Sequence, residues 1–162
     1  MLIRTARADD LDEIAAIEAE CFPPEQAAPK ESIRKRLAVF PDRFILLCDD
    51  SGKIVSFADG MLTDEPDLTD EMYSSADMHD PNGRWQMIFG LNTRPEYRRN
   101  GYAGTVMREF TAKSCMEGRS GIVLTCKQQL ISFYEKLGFV SEGVTEKSVI
   151  GGQAWYQMRL AF

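Results

Sequence analysis

The sequence predicts a single α/β domain on a mixed sheet, spanning residues 1–162. Three observations predict it: the chain opens strand–helix–helix, continues through a glycine-turned hairpin, and closes as strand–helix–strand–helix followed by a second hairpin. Such an order places helices on the faces of a sheet, and strands joined through a helix can run parallel where hairpins cannot. With 162 residues, 44% of them hydrophobic, the chain can fill one core.

The elements follow in order. Leu2 to Arg7 reads as a short strand, after which Asp9 is expected to cap a helix with Leu11, Ile14, Ala15 and Ile17 at helical spacing. Pro23 and Pro24 stop that helix, and a second, with Ile33 and Leu37 on one face, is expected over residues 30–39. Residues 44–48 form a strand, 49–52 a turn and 53–60 the hairpin partner. The polar, acidic stretch 63–83 is expected to be a functional or mobile loop, with a short helix around residues 70–74. Trp85 to Leu91 reads as a buried central strand, and 103–117 as a helix with Val106 and Phe110 inward and Gly118 as its stop. A strand at 122–125, a short helix at 130–136 ending near Gly138, a strand opening at Phe139, a turn at Gly151-Gly152 and a strand at 155–160 complete the chain.

Composition removes several function classes. No apolar run reaches the roughly 20 residues of a membrane span, and Met1-Leu2-Ile3-Arg4 lacks a signal-peptide pattern, so a cytoplasmic protein without a membrane partner is expected. A net charge of −6 argues against nucleic acid. Cys21, Cys48, Cys115 and Cys126 are widely spaced and read as free thiols. With His79 the one histidine, a zinc site and a histidine-based triad are both disfavoured, and no metal is expected. Asp59, Asp64, Glu65, Asp67, Asp70, Glu71, Asp77 and Asp80 share a stretch without Lys or Arg. It would attract a cation such as a protonated amine, or is simply a solvated acidic loop.

Arg98-Arg99-Asn100-Gly101-Tyr102-Ala103-Gly104 lies between a strand and a helix. The first N–H groups of a helix lack internal partners and sit at its positive end, so a diphosphate suits both. Gly101, Ala103 and Gly104 leave those groups uncovered, and Arg98 and Arg99 add charge. It matches neither a P-loop nor GxGxxG.

Phe133-Tyr134-Glu135-Lys136-Leu137-Gly138-Phe139 follows about one strand later. Arg-x-x-Gly-x-Ala with a downstream FYEKLGF resembles the GNAT superfamily of N-acetyltransferases, and the resemblance covers essentially the whole chain. It implies a mostly antiparallel sheet splayed between two parallel strands, 85–91 and 122–126, with about four flanking helices. It further implies acetyl-CoA as acyl donor, its pantetheine arm bonded to main chain at Leu91, Asn92 and Thr93 and its pyrophosphate on Arg98 to Gly104. Tyr134 would protonate the departing thiolate; a phenol is a neutral donor at pH 7. Phe133 and Phe139 read as core, Phe133 also standing among the cofactor-binding residues. The asparagine usual in the family shortly before the tyrosine is replaced by Lys127 and Gln128.

A closer resemblance is to the arylalkylamine N-acetyltransferases, through Cys21 to Ala28, Glu31 to Ile33, Leu37 to Pro41, Leu68 to Met72 and His79 to Gly83. The two histidines of the vertebrate branch are matched here by Met87 and Phe89, which carry no proton. The insect branch places a catalytic glutamate where Glu25 stands; an exposed loop carboxylate is the ordinary alternative, and Asp77, Asp80 or solvent remain open as bases. Met61, Met72, Met78, Met87 and Phe22 could line an apolar acceptor pocket or fill core. The resemblance therefore implies acetyl transfer to a small apolar or aromatic primary amine. Alternatives are a protein or peptide N-acetyltransferase, or a CoA-binding module without turnover. Monomer and homodimer are both left open.

Overall fold

The computed structural model describes all residues 1–162. Its α-helices and strands are β1 (Leu2–Thr5), α1 (Leu11–Cys21), α2 (Lys30–Val39), β2 (Phe44–Cys48), β3 (Ile54–Asp59), β4 (Leu62–Thr63), α3 (Asp70–Ser74), β5 (Trp85–Ile88), β6 (Gly90–Thr93), α4 (Tyr102–Met116), β7 (Gly121–Cys126), α5 (Ile131–Glu135), β8 (Val140–Val144) and β9 (Tyr156–Ala161). The helices number five rather than about four, because α3 and α5 are single short turns of five residues each.

The sheet is in two parts, ordered β1-β2-β3-β6 and β4-β5-β7-β9-β8. All pairings are antiparallel except β5 with β7, which runs parallel from Trp85 opposite Gly121 to Ile88 opposite Leu124. The continuous apolar run of β2 is explained by burial on both faces. Phe44, Leu46 and Cys48 join Ile14, Ile17, Ile33, Leu37 and Phe57 beneath α1 and α2. Ile45 and Leu47 join Val106, Phe110, Ile122, Leu124 and Phe139 beneath α4 and α5.

Two sequence expectations are corrected here. Asp10, not the exposed Asp9, stands at the start of α1, and neither side chain caps the helix: Asp10 instead turns back to accept the Arg7 N–H at 2.7 Å and both terminal nitrogens of Arg4 at 2.8 Å. The strand expected over 85–91 is broken at Phe89. Its first half stays on β7, while its second half crosses to β3, where Gly90 lies opposite Asp59 and Thr93 opposite Ser56. The break is held by main chain from residues 59–61: Met61 O accepts Met87 N–H at 2.8 Å and Asp59 O accepts Phe89 N–H at 2.7 Å. Gly60 makes it possible, since a Cβ there would lie 1.7 Å from Met87 O.

Candidate functional site

Once β6 leaves, β7 continues through Thr125 and Cys126 with no strand beside it on that side. A wedge opens between the two strands. Arg94 N–H donates to Val55 O across the β3–β6 pair. By the alternation of an antiparallel ladder, Asn92 then turns its main chain toward β3, and Leu91 and Thr93 turn theirs into the wedge. Thr93 O is already engaged there by Arg98 Nε at 3.2 Å and Cys21 Sγ at 3.3 Å. Asn92 departs from its expected place. Its carbonyl accepts Ser56 Oγ at 2.7 Å and its side chain is buried against α1, so it does not line the wedge.

The wedge is part of a cavity of about 710 Å³. At one end stands the loop before α4. Asn100 Nδ2 donates to Tyr97 O and Arg98 O and fixes its curl, while Arg99 and Gly101 take positive φ angles of 65° and 79°. Helix geometry gives the N–H groups of Tyr102, Ala103 and Gly104 no acceptor within α4; the first to close is Thr105 N–H on Gly101 O at 3.1 Å. The loop is therefore a concave set of donors at the positive end of a 15-residue helix, flanked by the exposed Arg98 and Arg99. Arg98 and Ala103 line the cavity, whereas Arg99, Asn100, Gly101, Tyr102 and the buried Gly104 do not.

Tyr134 lines the same cavity. It sits on α5 with its ring edge-on to Phe133 and Phe139, at centroid distances of 5.0 and 5.8 Å. Leu137 and Phe139 N–H groups both donate to Tyr134 O, so the FYEKLGF turn fixes the backbone that aims the ring. Burial, with Cys126 and Tyr73 nearby, holds the phenol well above its ordinary pKa. Phe133 lines the cavity as well, together with Leu130, Cys126 and Lys127. Tyr73, pushed up to about 12 by burial, reaches Thr125 Oγ1 at 3.4 Å.

The far end is apolar and aromatic, walled by Phe22, Tyr73, Phe89, Ile150 and Trp155. Trp155 Nε1 donates to Ile150 O at 2.8 Å, and the main chain at Gly151 packs on Gln26, so the β8–β9 connection roofs the loop between α1 and α2. Glu25 is on that loop, exposed, at the rim of the cavity. The methionines are elsewhere. Met61, Met72 and Met87 are in the core, and Met78 packs against it, so for the methionines the core alternative holds, while Phe22 lines the cavity.

One cavity residue was not singled out from sequence. Glu18 is 6% exposed, and burial lifts its carboxyl to about 7. Its Oε2 accepts Ala28 N–H at 3.0 Å and its Oε1 accepts Asn92 Nδ2 at 3.2 Å. Its spacing four residues beyond Ile14 places it on the inward face of α1, which is the signal the sequence carried.

The acidic stretch is anchored in the fold and several of its carboxylates are paired. Leu68, Met72 and Ala76 anchor it in the core. Asp59 pairs with Arg36 at 3.0 Å, Asp67 with Lys147 and Arg159 at 2.7 Å, and Asp64 with Arg84 at 3.5 Å. Asp70 accepts Ser148 Oγ and Val149 N–H. His79 Nδ1 accepts Leu62 N–H at 3.1 Å beneath the Phe40 ring, which makes it a structural residue; burial lowers its pKa.

Against known proteins, the acetyltransferase (GNAT) family model matches residues 11–139. Serotonin N-acetyltransferase of Mesocricetus auratus is 30% identical over 108 residues, covering 62% of this chain and 51% of that protein. The chain thus spans about half the length of the curated relative it matches. The loading GNATL domain of CurA from Lyngbya majuscula superposes with a TM-score of 0.81 at 18% identity, covering 99% of this chain and 96% of that one. A GphF GNAT-like decarboxylase in complex with isobutyryl-CoA gives 0.77 at 22% identity over 99% of both chains. At these identities the two structures speak for the fold. No helix is long and apolar enough to cross a membrane.

Proposed function

The chain belongs to the acetyltransferase (GNAT) family, and on that premise we propose that it moves the acetyl group of acetyl-CoA to the primary amine of a small apolar or aromatic acceptor. One observation carries the reading: a single cavity runs from the donor-lined loop at α4, past Tyr134, to the aromatic wall of Phe22, Phe89 and Trp155. The residues present suit acetyl-CoA. The unpartnered N–H groups at 102–104, with Arg98 and Arg99, fit a diphosphate. The Leu91 main chain offers hydrogen bonds along the wedge.

Both substrates are then held in one cleft, and the amine attacks the thioester carbonyl directly, with no acyl group parked on the protein. Proximity and orientation supply much of the acceleration. A C–N bond forms, the C–S bond breaks, and Tyr134 gives its proton to the departing sulfur. The raised phenol pKa keeps that proton in place at every pH where the enzyme would work. Gln26 and Trp155 line the aromatic end, and the Gly151 main chain packing on Gln26 ties the β8–β9 connection to the loop between α1 and α2, an arrangement that suits a small acceptor.

The test mixes the protein with acetyl-CoA and a panel of arylalkylamines, polyamines and lysine peptides, and follows free thiol release. Turnover with arylalkylamines ahead of peptides is expected. CoA binding without turnover of any small amine would sink the reading in favour of a binding module.

A further inference from the structure

We propose that Glu18 on α1, rather than the rim carboxylate Glu25, is the catalytic base that takes the proton from the attacking amine. The inference rests on the acetyltransferase reading above and names a residue for the half of the reaction that Tyr134 does not serve.

Position is the first argument. Glu18 lines the cavity at the break between β5 and β6, and its Oε1 lies 3.5 Å from where a Cβ on Gly90 would stand. Residue 90 has no side chain to stand between the buried carboxylate and the cleft at the point where the sheet opens, where Asn92 Nδ2 is the other near neighbour, at 3.3 Å from that position. Phe22, on the acceptor wall, borders the same spot, 3.9 Å from that position. Glu25 is exposed, with nothing fixing its side chain.

Orientation is the second. Ala28 N–H and Asn92 Nδ2 grip one oxygen each, so the carboxylate is held by two elements besides its own helix. Asn92 Oδ1 is buried without a donor. A carboxyl that has taken up a proton can supply that donor once the amide turns, so the surroundings accommodate both protonation states.

The charges around it are the third. Arg36 of α2 and Asp59 of β3 form a buried pair at 3.0 Å, and Arg36 also donates to Tyr73 O at 2.8 Å. Arg36 makes no hydrogen bond to Glu18, and its charge lowers the Glu18 carboxyl only in part against burial. Asp59 adds a repelling negative charge, and Cys21, one turn further along α1, is itself raised by burial. Burial first, with the Asp59 charge adding to it, lifts the carboxyl to about 7, suited to general-base work at neutral pH.

The protons balance. The acceptor arrives as an ammonium ion and passes one proton to Glu18, leaving a nitrogen lone pair. Attack forms the C–N bond and makes the nitrogen cationic. The second proton leaves the nitrogen to solvent as the C–S bond breaks, and the sulfur is protonated by Tyr134, which regains a proton from solvent. Glu18 releases its proton to solvent, so acetylamide, CoA thiol and one H⁺ leave.

The experiment is a kcat/KM against pH profile, with an alkylamine from the panel, for the wild type, Glu18→Gln and Glu25→Gln. The wild type is expected to lose activity below pH about 7, well clear of the amine's own titration near about 10. Glu18→Gln should lower kcat by about 10²-fold and lose the acidic limb, with acetyl-CoA affinity within about twofold; Glu25→Gln should keep the limb. A limb retained in Glu18→Gln, or lost in Glu25→Gln, overturns the assignment and leaves the acetyltransferase reading standing. Absence of turnover by the wild type overturns both. Should Glu18→Gln fail to fold, carboxyl ¹³C NMR of glutamate-labelled wild type decides: a buried glutamate titrating with the limb supports the base, and none titrating above pH 6 overturns it.

Discussion

Asn92 Nδ2 donates to Glu18 Oε1 at 3.2 Å, joining α1 to the strand that leaves the parallel pair. The bond ties the acceptor-side helix to the edge of the wedge, so the two walls of the cleft are positioned together. It also holds a carboxylate in a place that burial makes costly for its charge.

That cost gives a stability prediction with a definite sign. The Glu18 carboxyl is raised from 4.5 to about 7 in the folded protein, so between those values the native state binds a proton that the unfolded chain has lost. Its contribution to stability is therefore greatest below pH 4.5, declines as pH rises toward 7 and is fully lost above that. The interval corresponds to about 3 kcal/mol. Glu18→Gln removes the charge, keeps an acceptor for Ala28 and offers a donor to Asn92 Oδ1. Thermal unfolding at pH 8 should show the variant more stable than the wild type by about 1–3 kcal/mol, the gain shrinking toward pH 5. A gain independent of pH would mean that the wild-type carboxylate carries no ionisation penalty.

Tyr134→Phe tests the proton donor. The ring keeps its edge contacts with Phe133 and Phe139, so the fold should be unaffected. Turnover should fall by about 10²-fold or more, while the dissociation constant for CoA, measured by calorimetry, changes by less than about threefold. Equal loss of both would make the hydroxyl a binding group.

Gly101→Val tests the loop. Nothing lies within 4 Å of a Cβ at this position, so no clash with neighbours is expected. The φ of 79° is the difficulty: a β-branched residue there is strained by about 1–3 kcal/mol. The loop must uncurl or the helix start must shift, and either disperses the N–H groups at 102–104. CoA affinity should drop by about tenfold or more, with little change in global unfolding temperature. Undiminished affinity would exclude this loop as the diphosphate site.

Much of the site was legible in the sequence because its signals are local. The curl at Arg98 to Gly104 is set by residues within it, Asn100 bonding back to Tyr97 O and Arg98 O and Gly101 taking a positive φ, and Tyr134 is aimed by its own FYEKLGF turn. What was not legible depends on contacts between distant segments. The break at Phe89 is dictated by Gly60 and by the carbonyls of Asp59 and Met61 on another strand, while Trp85 to Leu91 reads as one apolar run. The acidic stretch looked unpaired because, Arg84 apart, its cations come from distant parts of the chain, Arg36 before it and Lys147 and Arg159 well after. Glu18 is a glutamate in an amphipathic helix, ordinarily a solvent-facing residue, and only its register with Ile14 marked it as buried.

Trp155 offers the sharpest test of acceptor class. Its indole lines the aromatic end of the cavity and is braced by the bond from Nε1 to Ile150 O at 2.8 Å. Trp155→Ala removes a planar apolar surface and releases the 150–152 turn, while leaving the loop at α4 and Tyr134 untouched. An arylalkylamine stacking there would lose about 0.5–1.5 kcal/mol of aromatic contact together with its area burial, so KM for it should rise about tenfold. A short alkylamine that does not reach the wall should be affected much less, and the KM for acetyl-CoA should hold. Parallel loss for aromatic and short alkyl acceptors would mean that Trp155 shapes the cleft as a whole and that the aromatic wall does not select the substrate.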